Sequence, residues 1–174
     1  HRDLHSFPTR RSSDLLLNAI IAFSVKEKAC VELVKELIRS GNNVRINDVN
    51  FGHTAMMRAV LVKSPTLVKL LLEQCPEADV NVYSEQAKRN CLIAALEPPN
   101  YCLDATVCQL DPKSKKLEQS DLELIKLLLP HLNLASFEAV NADGDNAIAI
   151  AQKRDDAEIT KVLTTKYEAL KKGK

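Results

Sequence analysis

Cysteine and histidine are the side chains in this 174-residue chain best suited to covalent or metal chemistry, and their spacing argues against both. The five cysteines, Cys30, Cys75, Cys91, Cys102 and Cys108, contain no Cys-x-x-Cys pair. Cys102 and Cys108, with His131 as a distant third ligand, come nearest to a zinc set, but the gap between the two thiols exceeds the usual ligand spacing. Cys91 lies among apolar residues and reads as a small buried hydrophobe. An odd number of thiols without paired spacing fits reduced cysteines better than a disulfide framework. That places the protein in the cytoplasm, or in a host cytoplasm if it is an effector. Outside the first fifteen residues only His53 and His131 could serve as a base, and nothing sets a nucleophile and an orienting group beside either. The four glycines, Gly41, Gly52, Gly144 and Gly173, form no phosphate-cradling loop. We therefore expect no catalytic residues, no metal and no cofactor.

The elements that position these residues recur along the chain. Long apolar segments at 31–38, 65–72, 122–129 and 157–164 have their anchors at Leu33, Leu67, Leu124 and Ile159, with steps of 34, 57 and 35 residues. Short segments at 18–22, 55–59, 91–95 and 147–151 end at Ala22, Ala59, Ala95 and Ala151, with steps of 37, 36 and 56. A period of about 33–36 residues with one insertion is the signature of stacked helical hairpins. In the most regular unit, Gly52 supplies a positive φ, Thr54 caps the short helix and Pro65 opens the long one. Leu67, Val68, Leu70, Leu71 and Leu72 form its stacking surface. In the first unit Val31, Val34, Leu37 and Ile38 share one face of a helix that Gly41 terminates; in the last, Gly144 makes the turn and Asp156 caps the final helix.

These residues resemble the ankyrin repeat family. Its turn-and-helix motif Gly-x-Thr-Pro-Leu-His-x-Ala is matched by Gly52-His53-Thr54-Ala55-Met56-Met57-Arg58-Ala59 and more loosely by Gly144 to Ala151. Its paired leucines are matched by Leu67 to Leu72, followed by Ala78-Asp79-Val80-Asn81. The third unit departs from the pattern, with Lys88 where the glycine belongs. The resemblance implies an all-α helical-hairpin solenoid of about four repeats, at about 16–47, 48–81, 82–135 and 136–170, with a long insertion at 97–120 in the third and a tail at 171–174.

Residues 1–15, HRDLHSFPTRRSSDL, lack apolar periodicity and look like the in-frame translation of a sequencing adapter. On that reading they are a non-native, disordered segment and the natural N-terminus is not visible. They carry three of the 24 basic and two of the 23 acidic residues, so the remainder has equal numbers of each. The strongly basic footprint of a nucleic-acid binder is missing, and no apolar run approaches the ~20 residues that span a bilayer. The insertion opens with Pro98-Pro99, continues through Asn100-Tyr101 and closes on Lys113, Lys115 and Lys116. It is either a partner-contacting loop or a merely tolerated one.

What the resemblance implies is a non-enzymatic, monomeric module that binds a protein through its turn tips and the concave face of its short helices. The alternative is the targeting region of a larger enzyme or host-directed effector whose catalytic domain lies upstream. The family's contact positions fall on Asn50, Phe51, His53, Leu61 and Val62, then on Gln86, Ala87, Arg89, Glu97 and Pro98, then on Ala142, Asp143, Asp145, Lys153 and Arg154. Tyr101 of the insertion joins them. Phe51 and Arg89 are the strongest of these, because aromatic and arginine side chains dominate binding hot spots; Phe51 would otherwise pack into the neighbouring turn.

Overall fold

In a computed structural model of the chain, residues 27–40, 46–49, 52–97 and 119–173 are described. The expected short helix at 18–22, Gly41, Asn50, Phe51, segment 1–15 and most of the insertion, with Tyr101, Cys102 and Cys108, lie outside them. Eight α-helices are present among the described residues: α1 Glu27–Arg39, α2 Ala55–Leu61, α3 Pro65–Gln74, α4 Cys91–Leu96, α5 Gln119–Leu128, α6 Leu134–Glu138, α7 Ala147–Lys153 and α8 Ala157–Lys172. A 3₁₀ turn, Leu129–His131, follows α5. The short helices α2, α4 and α7 pack side by side in one row, and the long helices α1, α3 and α5 in a second.

Each short helix begins where a side-chain oxygen captures an orphan N–H. Thr54 Oγ1 accepts from the Met57 N–H at 3.1 Å, Asn90 Oδ1 from Ile93 at 2.9 Å and Asn146 Oδ1 from Ala149 at 2.9 Å. Two residues before each cap the chain needs a positive φ. Gly52 (+78°) and Gly144 (+81°) supply it, and Lys88 adopts it at +49° in the repeat that lacks the glycine. The long helices start in the same manner: Ser64 Oγ accepts from Leu67 at 3.2 Å and Asp156 Oδ1 from Ile159 at 2.9 Å.

Between helices α2 and α3 the chain reverses in a left-handed residue, Lys63 at φ +51°, and between α7 and α8 in Asp155 at φ +55°. The backbone N–H groups of Lys63 and Ser64 donate to Val60 and Ala59, and those of Asp155 and Asp156 donate to Gln152 and Ala151. This paired closure is how a helix fills its last carbonyls when the next residue is left-handed.

Met56, Met57, Leu67, Leu71, Leu92, Ile93, Leu96, Leu124 and Ile125 are fully buried between the two rows, while Leu70 and Leu72 are half-buried against them. Each fully buried large side chain is worth about 1.5–3 kcal/mol, a gain no hairpin secures alone because its partner surface is the next hairpin. Asparagines tie successive loops together. Asn47 donates to the Glu77 carbonyl at 2.7 Å and accepts from the Asp79 N–H at 2.7 Å. One repeat on, Asn81 makes the same pair of bonds to His131 O at 3.0 Å and Asn133 N at 2.9 Å.

Helix α6 is an addition the periodicity did not anticipate. Its Phe137 is buried, with its ring 5.8 Å from that of Tyr167 on α8. The sixteen residues of α8, against ten in α3, provide the length to cover it.

Candidate functional site

The three turns carry His53, Arg89 and Asp145 to equivalent places, the residue before each N-cap. Eight residues on, Leu61, Glu97 and Lys153 mark the far ends of the short helices. In the third repeat Arg89 Nη1 lies 3.1 Å from Glu97 Oε2. In the fourth the same two places carry opposite signs, and the Lys153 ammonium pairs with the Asp145 carboxylate. Arg89 also donates from Nε to the Ala87 carbonyl at 3.1 Å. Residues expected to reach out to a partner are thus joined to each other along the helix.

Leu61 corrects the expectation of a surface contact. It is 3% exposed, part of the core between α2 and its neighbours, because the last turn of α2 faces into the stack. His53 and Val62 are half-buried, whereas Gln86 and Asp143 are exposed at the turn tips. The tips are held by backbone hydrogen bonds: Ser84 and Arg89 exchange a pair at 2.9 and 3.3 Å, and Asn141 accepts on Oδ1 from Asp143 at 3.0 Å and Asp145 at 2.9 Å. Arg154 turns inward and donates to the Leu96 carbonyl. Asn50, Phe51 and Tyr101 lie outside the described residues.

At the root of the insertion lies a cluster of buried charge. Lys63 Nζ sits 2.8 Å from Asp121 Oδ1, with the two side chains only 13% and 6% exposed. The same ammonium donates to Ala95 O at 2.7 Å and Glu97 O at 3.1 Å, and approaches Ala94 O at 3.5 Å. Burial pushes the Lys63 ammonium below the usual lysine range, an effect that the Asp121 carboxylate opposes. Burial pushes the Glu97 carboxyl up, opposed by Arg89 and by the Asn141 amide, which reaches it at 3.5 Å. Arg154 is shifted downward by burial and held charged by Asp121 and Asp156.

Cys75 and Cys91 are free, buried thiols, each pushed up by burial, which disfavours the nucleophilic thiolate. No group of three or more His, Cys, Asp or Glu among the described residues could hold a metal ion. No described helix is long and apolar enough to cross a membrane.

Stacked helix-turn-helix units with glycine-type turns, loop-bridging asparagines and a shared two-row core define an all-α repeat solenoid. Residues 19–104 match the family model for ankyrin repeats, in three copies, and the chain belongs to that family. Hairpin α7–α8 lies beyond the matched residues yet reproduces the turn glycine, the N-cap and the left-handed reversal. No curated protein matches the chain.

Sequence reasoning missed Lys63, Asp121 and Asn141 as members of the charged cluster. One signal was there to read: Pro98 and Pro99 have no N–H, so the end of α4 needs other donors for its carbonyls.

Proposed function

We propose that the chain is a non-enzymatic interaction module that binds a protein partner through its turn tips and the adjoining concave edge of the short helices. Ankyrin repeats generally serve protein–protein interaction. The observation that carries the reading is the construction of the tips. The turns at 85–88 and 142–145 are locked by backbone hydrogen bonds and by the Ser84 and Asn141 side chains, yet Gln86 and Asp143 stay exposed. A rigid turn presenting free polar side chains binds at low entropic cost, since little order has to be imposed on association. His53 and Val62 extend this surface toward the second repeat.

The Arg89–Glu97 and Asp145–Lys153 pairs fit a supporting role, because side chains already paired with each other hold the helix edge in one geometry. An affinity capture with the wild-type chain, Gln86→Ala/Asp143→Ala and Lys69→Ala tests the reading. Lys69 is exposed on α3, away from the tips. A protein retained by wild type and Lys69→Ala but lost by the tip variant is the expected result. Equal retention by all three would remove the tips as the binding surface.

A further inference from the structure

In the second and fourth repeats two backbone N–H groups close the end of the short helix. One fills the carbonyl of Ala59 or Ala151, and the other fills the carbonyl of Val60 or Gln152. Counting from the N-caps, the equivalent carbonyls of α4 belong to Ala95 and Leu96. By the same count the residue that would fill Leu96 is Pro99 and the one that would fill Ala95 is Asn100, while Pro98 falls where Val62 and Arg154 fill the carbonyls of Arg58 and Ile150, here that of Ala94; neither proline has an N–H to give. Both acceptors are nevertheless occupied. Lys63 Nζ donates to Ala95 O at 2.7 Å, and the Arg154 guanidinium donates to Leu96 O.

The two donors come from opposite sides. Lys63 is the left-handed residue of the turn in the second repeat, and Arg154 stands one residue before the left-handed Asp155 of the fourth. We propose that Lys63 and Arg154 form a cap in trans, in which the flanking repeats supply donors to the last carbonyls of α4 and so lock the root of the third repeat's insertion. Arg154 stands in at Leu96 for the N–H that Pro99 lacks, and Lys63 reaches Ala95 and, at 3.5 Å, Ala94, for which Pro98 has none. The positive charges suit the negative end of a helix, where the last carbonyls are concentrated.

Lys63 fixes both edges of the insertion at one atom. Glu97 O, on the leading side, is 3.1 Å from its Nζ, and Asp121 Oδ1, on the returning side, is 2.8 Å away. Asp121 stands three residues before Leu124, as Ser64 stands before Leu67 and Asp156 before Ile159. The long helix therefore resumes in the register of the other repeats. The cap has a second consequence. In a linear stack each repeat touches only its neighbours, so the second and fourth repeats communicate only through the third. Here both hold the same helix end, and loosening either donor frees it.

Hydrogen exchange on the full chain tests this with Lys63→Met, Arg154→Met and the double variant. Each single change is expected to speed exchange about tenfold or more at Ala95, Leu96 and Glu97, the loss of one charge-assisted hydrogen bond. Lys63→Met should do the same at Leu122 to Ile125, while Leu67 to Leu71 of α3 change less. The double variant should depart from the product of the single effects by a factor of about 3 or more, as expected for groups that share a partner. An increase spread evenly over the chain, effects confined to each variant's own hairpin, or strict multiplicativity would overturn the proposal. Should Lys63→Met fail to fold, Asp121→Asn combined with Arg154→Met supplies the same comparison through the milder loss of the ion pair.

Discussion

Lys63 and Asp121, 58 positions apart in sequence, meet as an ion pair 2.8 Å long at the point where the chain returns from its insertion. Breaking a buried pair from one side leaves the other charge without its partner, which costs about 3–5 kcal/mol. The two sides differ here. Removing Lys63 takes the 2.8 Å ion-pair partner from the Asp121 carboxylate and also strips the donor from Ala95 O and Glu97 O, whereas neutralising Asp121 leaves the ammonium its carbonyls. Lys63→Met is therefore expected to destabilise more than Asp121→Asn in urea denaturation. The reverse order would show that the carbonyl contacts add nothing.

The turn residues separate conformational strain from packing. A Cβ on Gly52 would lie 3.3 Å from Ala87 Cβ of the next turn, while one on Gly144 meets nothing within 4 Å. Both sites have a positive φ, so Gly144→Ala should cost about 1 kcal/mol and Gly52→Ala up to about 3. Lys88 occupies the same conformation without being glycine, and its exposed pair with Glu85 is worth little. Lys88→Gly is expected to stabilise by about 0.5–1 kcal/mol. Thermal melts of the three variants check the order; equal losses for the two alanine variants would mean the turns do not pack as described.

Glu97 gives the fold a pH dependence whose sign follows from its direction of shift. Its folded carboxyl binds its proton more tightly than the unfolded one, for which the ordinary value is 4.5, because burial outweighs the Arg89 charge. The folded state then holds more protons just above pH 4.5, so this group's contribution is full below that pH and is lost as pH rises through the folded value. Glu97→Gln removes the dependence while keeping an acceptor for Arg89. Denaturation of both proteins from pH 4 to 7 should show the variant gaining on wild type as pH rises. A constant difference would mean that Glu97 titrates alike in both states.

The two described free thiols offer a probe of the stack. Cys91 is fully buried on α4 and Cys75 is 4% exposed after α3, and burial holds both thiols above their ordinary pKa. Iodoacetamide at pH 8 should leave both unmodified in the folded chain and label both in urea, read by peptide mass spectrometry. Native labelling of Cys91 at the unfolded rate would contradict the packing of α4.

Much of the scaffold was legible because its causes are local. Thr54 and Asp156 announce caps, Gly52 and Gly144 announce positive φ, and the steps between Leu67, Leu124 and Ile159 carry the register across the insertion. The left-handed Lys63 was not legible, since lysine does not mark that conformation, and Asp155 carries only the weak preference of aspartate for it; Lys88 was legible only from its place where the other turns have glycine. Helix α6 was hidden by its length, five residues being too few to show a period. Some of the contact positions carried over from the family pattern pair with one another. Arg89 with Glu97, and Asp145 with Lys153, are opposite charges eight residues apart, a separation at which the turn folds back over its own helix. Leu61 fell in the core because nothing in its neighbourhood distinguishes an inward from an outward leucine.

Excision of the insertion is the most direct test of the register argument. In the second repeat two residues, Val62 and Lys63, join Leu61 to Ser64; in the third, residues 98–120 join Glu97 to Asp121. Glu97 O and Asp121 Oδ1 already lie within hydrogen-bonding reach of one ammonium, so a Val-Gly link has the same geometry to span. The link also supplies the backbone N–H groups that Pro98 and Pro99 lack. The shortened chain is expected to keep its helical circular dichroism and cooperative melting at an equal or higher midpoint, since each halving of a flexible loop recovers about 0.6 kcal/mol of closure entropy. In that background Lys63→Met should destabilise less than in the full chain, because the α4 carbonyls then have donors of their own. Loss of cooperative unfolding would instead show that the insertion is part of the core and that the register is not carried by the root alone.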